Sequence, residues 1–212
     1  MRVLVTLRQA LALRPHRLLE VAAGDGKLCA CLAARGATVF ALRGEALAKA
    51  VAGFENRDNI KLLPGNCVDL GPAQVGCFDL VIACEVIEHA AHAVDFMRHL
   101  KSFLSPGGRI LLTTPNGSYF RNALPTYAQI EDTTSLEAAQ FKPDADGHLF
   151  LITPAELREI SAEAGLHVEQ LELCASPFIT GHCKLSFLWG PPIARACLFA
   201  RAALPSATVH DR

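Results

Sequence analysis

Short apolar runs alternate along this chain with stretches whose apolar residues recur at helical spacing, a pattern that predicts a mainly parallel sheet covered on both faces. Leu18–Ala22 (LLEVA) reads as a first buried strand, followed by the turn Ala23-Gly24-Asp25-Gly26 and a helix running to Arg35, with Gly36 placed to end it in a left-handed conformation. Ala37–Leu42 predicts a second strand, Glu45–Ala52 a short helix and Asn59–Leu63 a third strand. Phe78–Ala83 (FDLVIA) and Arg109–Thr114 (RILLTT) predict the fourth and fifth. Between them Ala93, Phe96, Met97, Leu100 and Phe103 line one helical face, and Pro106-Gly107-Gly108 turns the chain into strand five.

Thr153-Pro154-Ala155-Glu156 predicts a helix start, with a capping threonine, proline at the first helical position and glutamate three residues after the cap. Leu157, Ile160 and Ala164 line that helix and Gly165 stops it. Strands near Val168–Leu173 and Leu185–Trp189 would complete a seven-stranded sheet in a single domain over residues 1–212. Residues 115–152 break the pattern: aromatics (Tyr119, Phe120, Tyr127, Phe141) and turn residues with little periodicity. A long irregular segment inside a compact domain is usually functional, so it is expected to cap a substrate pocket.

Composition narrows the class. The 212 residues are 51% apolar and 19% charged, which is globular rather than disordered, and suffice for one α/β domain with a substantial core. A formal net charge of −1 supplies no basic field and argues against a protein that holds nucleic acid through its phosphates. Of the eight cysteines, Cys29, Cys31 and Cys84 lie within apolar periodic segments, and no CxxC pair occurs. Residues 1–20 carry dispersed arginines and no signal-like apolar core, so the expected compartment is a reducing cytoplasm. The apolar segment 184–204 is interrupted by Lys184, Arg195 and Arg201, which argues against a membrane span. It reads as a final strand and a packed helix, or else as a helix from Pro192 lying on a membrane or a partner.

Two clusters carry candidate chemistry. Gly24 and Gly26, with Asp25 between them, form a strand-to-helix turn that lets backbone approach a ligand closely. Glu85, Glu88, His89 and His92 stand at i, i+3, i+4 and i+7, which on a helix is one polar face beside the crevice after strand four. One reading is a solvated polar face. In the others, His89 is a general base that takes a proton from an acceptor hydroxyl, or the cluster holds a divalent metal.

The segments LLEVAAGDG, FDLVIACEVIEHA, FLSPGGRILLTTPN and DGHLFLITPAELREISAEAGL, taken in this order over about residues 17–170, resemble the class I S-adenosylmethionine-dependent methyltransferases, especially the ubiquinone-biosynthesis O-methyltransferase branch. The resemblance implies a Rossmann-like α/β fold with helices on both sheet faces, S-adenosylmethionine as cofactor and a small-molecule acceptor. It places Glu20, Ala22, Gly24, Asp25 and Gly26 along the methionine end of the cofactor, Asn66 and Cys67 beside the adenine, and Cys84 and Glu85 beside the reacting methyl group. Catalysis would fall to His89, Glu88 and Glu85. The Glu-x-x-Glu-His pattern also resembles the metal motif of small-RNA 2′-O-methyltransferases, which implies Glu85, Glu88, His89 and His148 as ligands.

One position departs from the family. At the end of strand two, where a carboxylate usually grips both ribose hydroxyls, this chain has Arg43, and a cation cannot accept those hydrogen bonds. Glu45 reaching back, Arg43 holding an added anionic group, a missing ribose contact and a merely solvated Arg43 all stay open. The expected activity is methyl transfer to a hydroxyl, less readily a nitrogen, of a small acceptor. The alternative is a catalytically impaired methyltransferase-like binding or partner subunit. A nicotinamide oxidoreductase is disfavoured, because AAGDGKL lacks the third glycine at the proper offset. The acceptor's identity and the oligomeric state are not legible in the chain.

Overall fold

In the computed structural model, the described residues are 2–24, 26–43, 58–119, 123–140, 147–175 and 193–202. Their elements run α1 (Arg2–Leu13), β1 (Arg17–Val21), α2 (Lys27–Ala33), β2 (Thr38–Arg43), β3 (Ile60–Pro64), α3 (Pro72–Val75), β4 (Phe78–Cys84), α4 (Ala93–Ser102), β5 (Leu104–Pro115), α5 (Pro154–Glu163), β6 (Leu166–Ala175) and β7 (Ile193–Ala202). Short 3₁₀ turns at Cys67–Asp69, Ile87–His89, Tyr127–Gln129 and Thr133–Ala139 lie between them.

The strands form one seven-stranded sheet in the order β3-β2-β1-β4-β5-β7-β6. Neighbours from β3 to β5 are parallel, and β7 runs antiparallel to both β5 and β6. Alternation along the strands builds two cores, as expected for strands buried on both faces. Leu18, Val39, Leu80, Ile82 and Leu111 point to one side, where they cluster with Ala10 of α1 and Leu28, Cys29 and Leu32 of α2. Leu19, Phe40, Val81, Ala83, Ile110 and Leu112 point to the other, against Phe96, Met97 and Leu100 of α4 and Leu157 and Ile160 of α5.

The chain moves outward from β1 to β2 and β3, then returns to the other side of β1 for β4 and β5. That reversal opens a crevice at the carboxyl ends of β1 and β4, where open α/β sheets bind ligands. Val21 pairs with Ala83 in register, so Ala22, the first residue after β1, follows beside Cys84, the last residue of β4.

The expected Rossmann-like α/β class is the observed one, with three differences in detail. The chain from Ile193 to Ala202 is a strand, and neither the packed helix expected after a final strand nor the alternative helix from Pro192, because the edge of β5 takes a hydrogen-bonding partner along its length. Helix α1 was not read from the sequence. It packs on the sheet beside α2, and Arg8 and Gln9 reach Glu172 on β6 at 3.3 and 3.1 Å. Strand β5 begins earlier than expected, and Ser105–Gly108 forms an irregularity between the Phe78–Leu104 and Leu80–Arg109 pairs. The expected helix Glu45–Ala52 and strand Leu185–Trp189 lie outside the described residues. Among those described, no helix is long and apolar enough to cross a membrane.

Candidate functional site

The turn after β1 is built from left-handed backbone. Ala22, Gly24 and Gly26 have φ of 55°, 54° and 68°, and the Gly26 N–H donates to the Ala23 carbonyl at 2.9 Å. Two glycines supply this conformation at little cost, whereas Ala22 adopts it with a Cβ. Before the turn, Glu20 is 4% exposed and accepts a hydrogen bond from the Cys29 thiol at 2.5 Å. Burial and the adjacent Glu20 charge push the Cys29 thiol far up, so it stays protonated and donates. Asp25, Glu45 and the side chain of Arg43 lie outside the described residues; the Arg43 backbone ends β2 opposite Pro64.

Asn66 caps the 3₁₀ turn after β3, its side-chain oxygen accepting from Val68 N–H at 3.5 Å. Cys67 behind it is buried, which pushes its thiol up to about 11, and its carbonyl accepts from His99 Nε2 at 2.7 Å. On β4, Cys84 lies 4.0 Å from the Thr6 hydroxyl, so the fully buried Thr6 brings α1 to the crevice.

The segment after β4 does not form the α-helix on which Glu85, Glu88, His89 and His92 would have shared one polar face. Glu85 takes φ 57°, and its N–H donates to the Thr113 carbonyl at 2.8 Å while the Thr113 hydroxyl donates to its carboxylate at 3.1 Å. Left-handed backbone at a non-glycine residue costs energy and persists where surrounding contacts hold it. The chain then makes one 3₁₀ turn over Ile87–His89, which disperses residues that a helix would have stacked.

Glu88 points inward and is fully buried, with the Thr114 hydroxyl donating to Oε2 at 3.1 Å. His92 turns away to the irregular segment, where Nε2 meets Glu137 at 2.7 Å and Nδ1 meets Thr133 at 3.1 Å. The structure brings together Glu88, His89 and His148, one ligand-type atom of each lying within 4.8 Å of the others. Glu85, the fourth expected ligand, is not in that group.

The His89 and His148 rings meet edge to face at 5.1 Å, and His148 Nε2 lies 3.8 Å from Glu88 Oε1. Burial first, then the neighbouring His148 imidazole, lower the His89 pKa below the ordinary histidine value, which favours a neutral ring that can accept a proton. His148 is held in place because the next residue, Leu149, donates its N–H to the Glu88 carbonyl at 3.0 Å.

Residues 115–152 leave and return at one place: Asn116 bridges to Ile152, Thr126 bridges to Leu151, and Gly117 N–H donates to the Ile152 carbonyl at 2.9 Å. Sequence reasoning missed Thr113 and Thr114, whose hydroxyls serve the two glutamates. Their signal was visible, since two consecutive hydroxyls end a strand that is otherwise apolar. A separate cavity of about 230 Å³, lined by Arg14, His16, Asp79, Ser105 and Arg109 among others, lies at the opposite, amino end of β1 and β4.

An open, mostly parallel sheet with a glycine turn after β1 and a polar cluster after β4 defines a Rossmann-like protein with its ligand crevice at the switch in strand order. The chain belongs to the methyltransferase domain family, which matches residues 2–171. Relatives similar in sequence include two ubiquinone biosynthesis O-methyltransferases. That of Acinetobacter baumannii (strain ACICU) is 28% identical over 159 residues, covering 73% of this chain and 65% of the relative. That of Xanthomonas axonopodis pv. citri (strain 306) is 29% identical, covering 73% and 64%. The chain thus spans slightly under two thirds of the length of these relatives. Among solved structures, magnesium protoporphyrin IX methyltransferase from Synechocystis PCC 6803 with bound S-adenosylhomocysteine superposes with a TM-score of 0.60 at 19% identity, covering 95% of this chain and 82% of that one.

Proposed function

We propose that this chain binds S-adenosylmethionine along the turn after β1 and transfers its methyl group to a hydroxyl of a small acceptor. The observation that carries the reading is the adjacency of the left-handed turn Ala22–Gly26 to the Glu85–His89 segment, fixed by the Val21–Ala83 register. Glu20 would face the cofactor's amino end, Gly24 and Gly26 would admit it close to the backbone, and Asn66 and Cys67 would flank the adenine. Asp25, Arg43 and Glu45 remain candidates for the same ligand. Cys84 and Glu85 would border the methyl group.

Methyl transfer is an in-line displacement: the acceptor oxygen attacks the sulfonium methyl, the carbon–sulfur bond breaks, and S-adenosylhomocysteine leaves. Holding the reactants in line at near contact supplies most of the acceleration. His89, half-buried and kept neutral by burial and by His148, would take the acceptor's proton, with Glu88 orienting the pair. Residues 115–152 would cover the acceptor and exclude water.

One carboxylate and two imidazoles also suit a divalent transition metal such as zinc, iron or manganese better than magnesium. Glu88, His89 and His148 would hold it, and when bound it would lower the pKa of an acceptor hydroxyl.

Calorimetry with S-adenosylmethionine and S-adenosylhomocysteine tests the reading: saturable binding is expected, and no heat at millimolar ligand would favour the partner-subunit alternative. With an acceptor in hand, His89→Ala is expected to lower kcat by about 10²–10⁴-fold with little change in cofactor affinity.

A further inference from the structure

Cys29 is the second residue of a buried pair whose first member, Glu20, stands at the carboxyl end of β1. Cys29 is 2% exposed, Glu20 4%, and Sγ lies 2.5 Å from Oε2. The surroundings are apolar: Leu18, Ala23, Leu28 and Leu32 belong to the same cluster as Cys29. A buried carboxylate needs donors, and one that gains or loses a donor changes its orientation and its preference for charge. Cys29 reaches Glu20 from the first turn of α2, across the turn Ala22–Gly26 that joins the two elements.

We infer that Cys29 is a positioning residue: its S–H holds the Glu20 carboxylate in the orientation that receives the positively charged amino end of the cofactor. The inference rests on the proposed cofactor site and names the side chain that prepares it. It also distinguishes Cys29 from Cys31, two residues further along α2, which is only partly buried and makes no such contact among the described residues. The thiol does not react; it donates one hydrogen bond and stays protonated throughout.

Two ligands separate this role from simple packing. S-adenosylhomocysteine carries the amino-acid end, and 5′-methylthioadenosine lacks it. In the intact chain, Cys29→Ala is expected to weaken S-adenosylhomocysteine about tenfold while leaving 5′-methylthioadenosine within about twofold. Cys29→Ser, which keeps a donor, is expected to recover most of the loss. Cys29→Val fills the volume without a donor and is expected to repeat the ligand-selective loss should the alanine variant fold poorly. Equal weakening of both ligands, or of neither, overturns the inference while leaving the cofactor site standing. Failure of the unaltered protein to bind S-adenosylhomocysteine at all would instead remove the proposed function, and this inference with it.

Discussion

A carboxylate with no exposure to water, as at Glu88, is costly unless donors surround it. Here the Thr114 hydroxyl meets one oxygen, and His148 approaches the other. Glu156 solves the same problem at the start of α5. Its two oxygens accept the N–H groups of Thr153 at 2.6 Å and Ala128 at 2.8 Å, so it completes the helix cap and also ties down the irregular segment. Burial alone would raise the Glu156 pKa, but these bonds outweigh it and hold the carboxyl below its usual value. Asp79 behaves likewise, with burial opposed by the N–H groups of Arg17 and His16 and by the Ser105 hydroxyl. A folded-state pKa below the unfolded one contributes stability that is fully present above the unfolded value and is lost as pH falls through the folded one. The native chain's resistance to denaturant is therefore expected to weaken below about pH 4, and Glu156→Gln is expected to flatten that dependence. An unchanged pH profile in Glu156→Gln would contradict the assignment. Thr153→Ala, which removes only the cap acceptor, is expected to cost about 1 kcal/mol by the same measurement.

Elements differ in how much of them local sequence determines. The α5 start was legible because Thr153, Pro154 and Glu156 satisfy one another within four residues, and the structure shows both reciprocal bonds. The strands were legible because alternation must fill two cores at once. The segment after β4 was not. Its 3.6-residue spacing matched a helix, yet Glu85 is held in a left-handed turn by Thr113, 28 positions away, and Glu88 is accommodated inside by Thr114. Pairings that distant leave no trace in local periodicity. The C-terminal stretch failed similarly, since apolar composition suits helix or strand and the edge of β5 decides between them. The excursion over residues 115–152 is closed by backbone contacts, with Gly117 packed so tightly that an added Cβ would lie 2.9 Å from the Ile152 carbonyl carbon. Gly117→Ala is expected to cost about 1–3 kcal/mol in chemical unfolding and to expose this segment to limited proteolysis. Native-like resistance in that variant would show that the closure is not needed to hold the segment.

For the whole molecule, strand order matters more than any single residue. The reversal at β1 and β4 brings the turn Ala22–Gly26, the end of β3 and the Glu85–His89 segment to one end of the sheet, with Thr6 of α1 reaching the same end. Of the residues expected at the site, Glu20, Ala22, Gly24, Gly26, Asn66, Cys67, Cys84, Glu85, Glu88, His89 and His148 lie on or beside that end. The metal group narrows to Glu88, His89 and His148. The most direct measurement is a crystal structure of the chain soaked with S-adenosylhomocysteine. Density is expected to run over Ala22–Gly26, with the amino end at Glu20 and the sulfur facing Cys84 and Glu85. An empty crevice, or the nucleoside lodged elsewhere on the sheet, would contradict it.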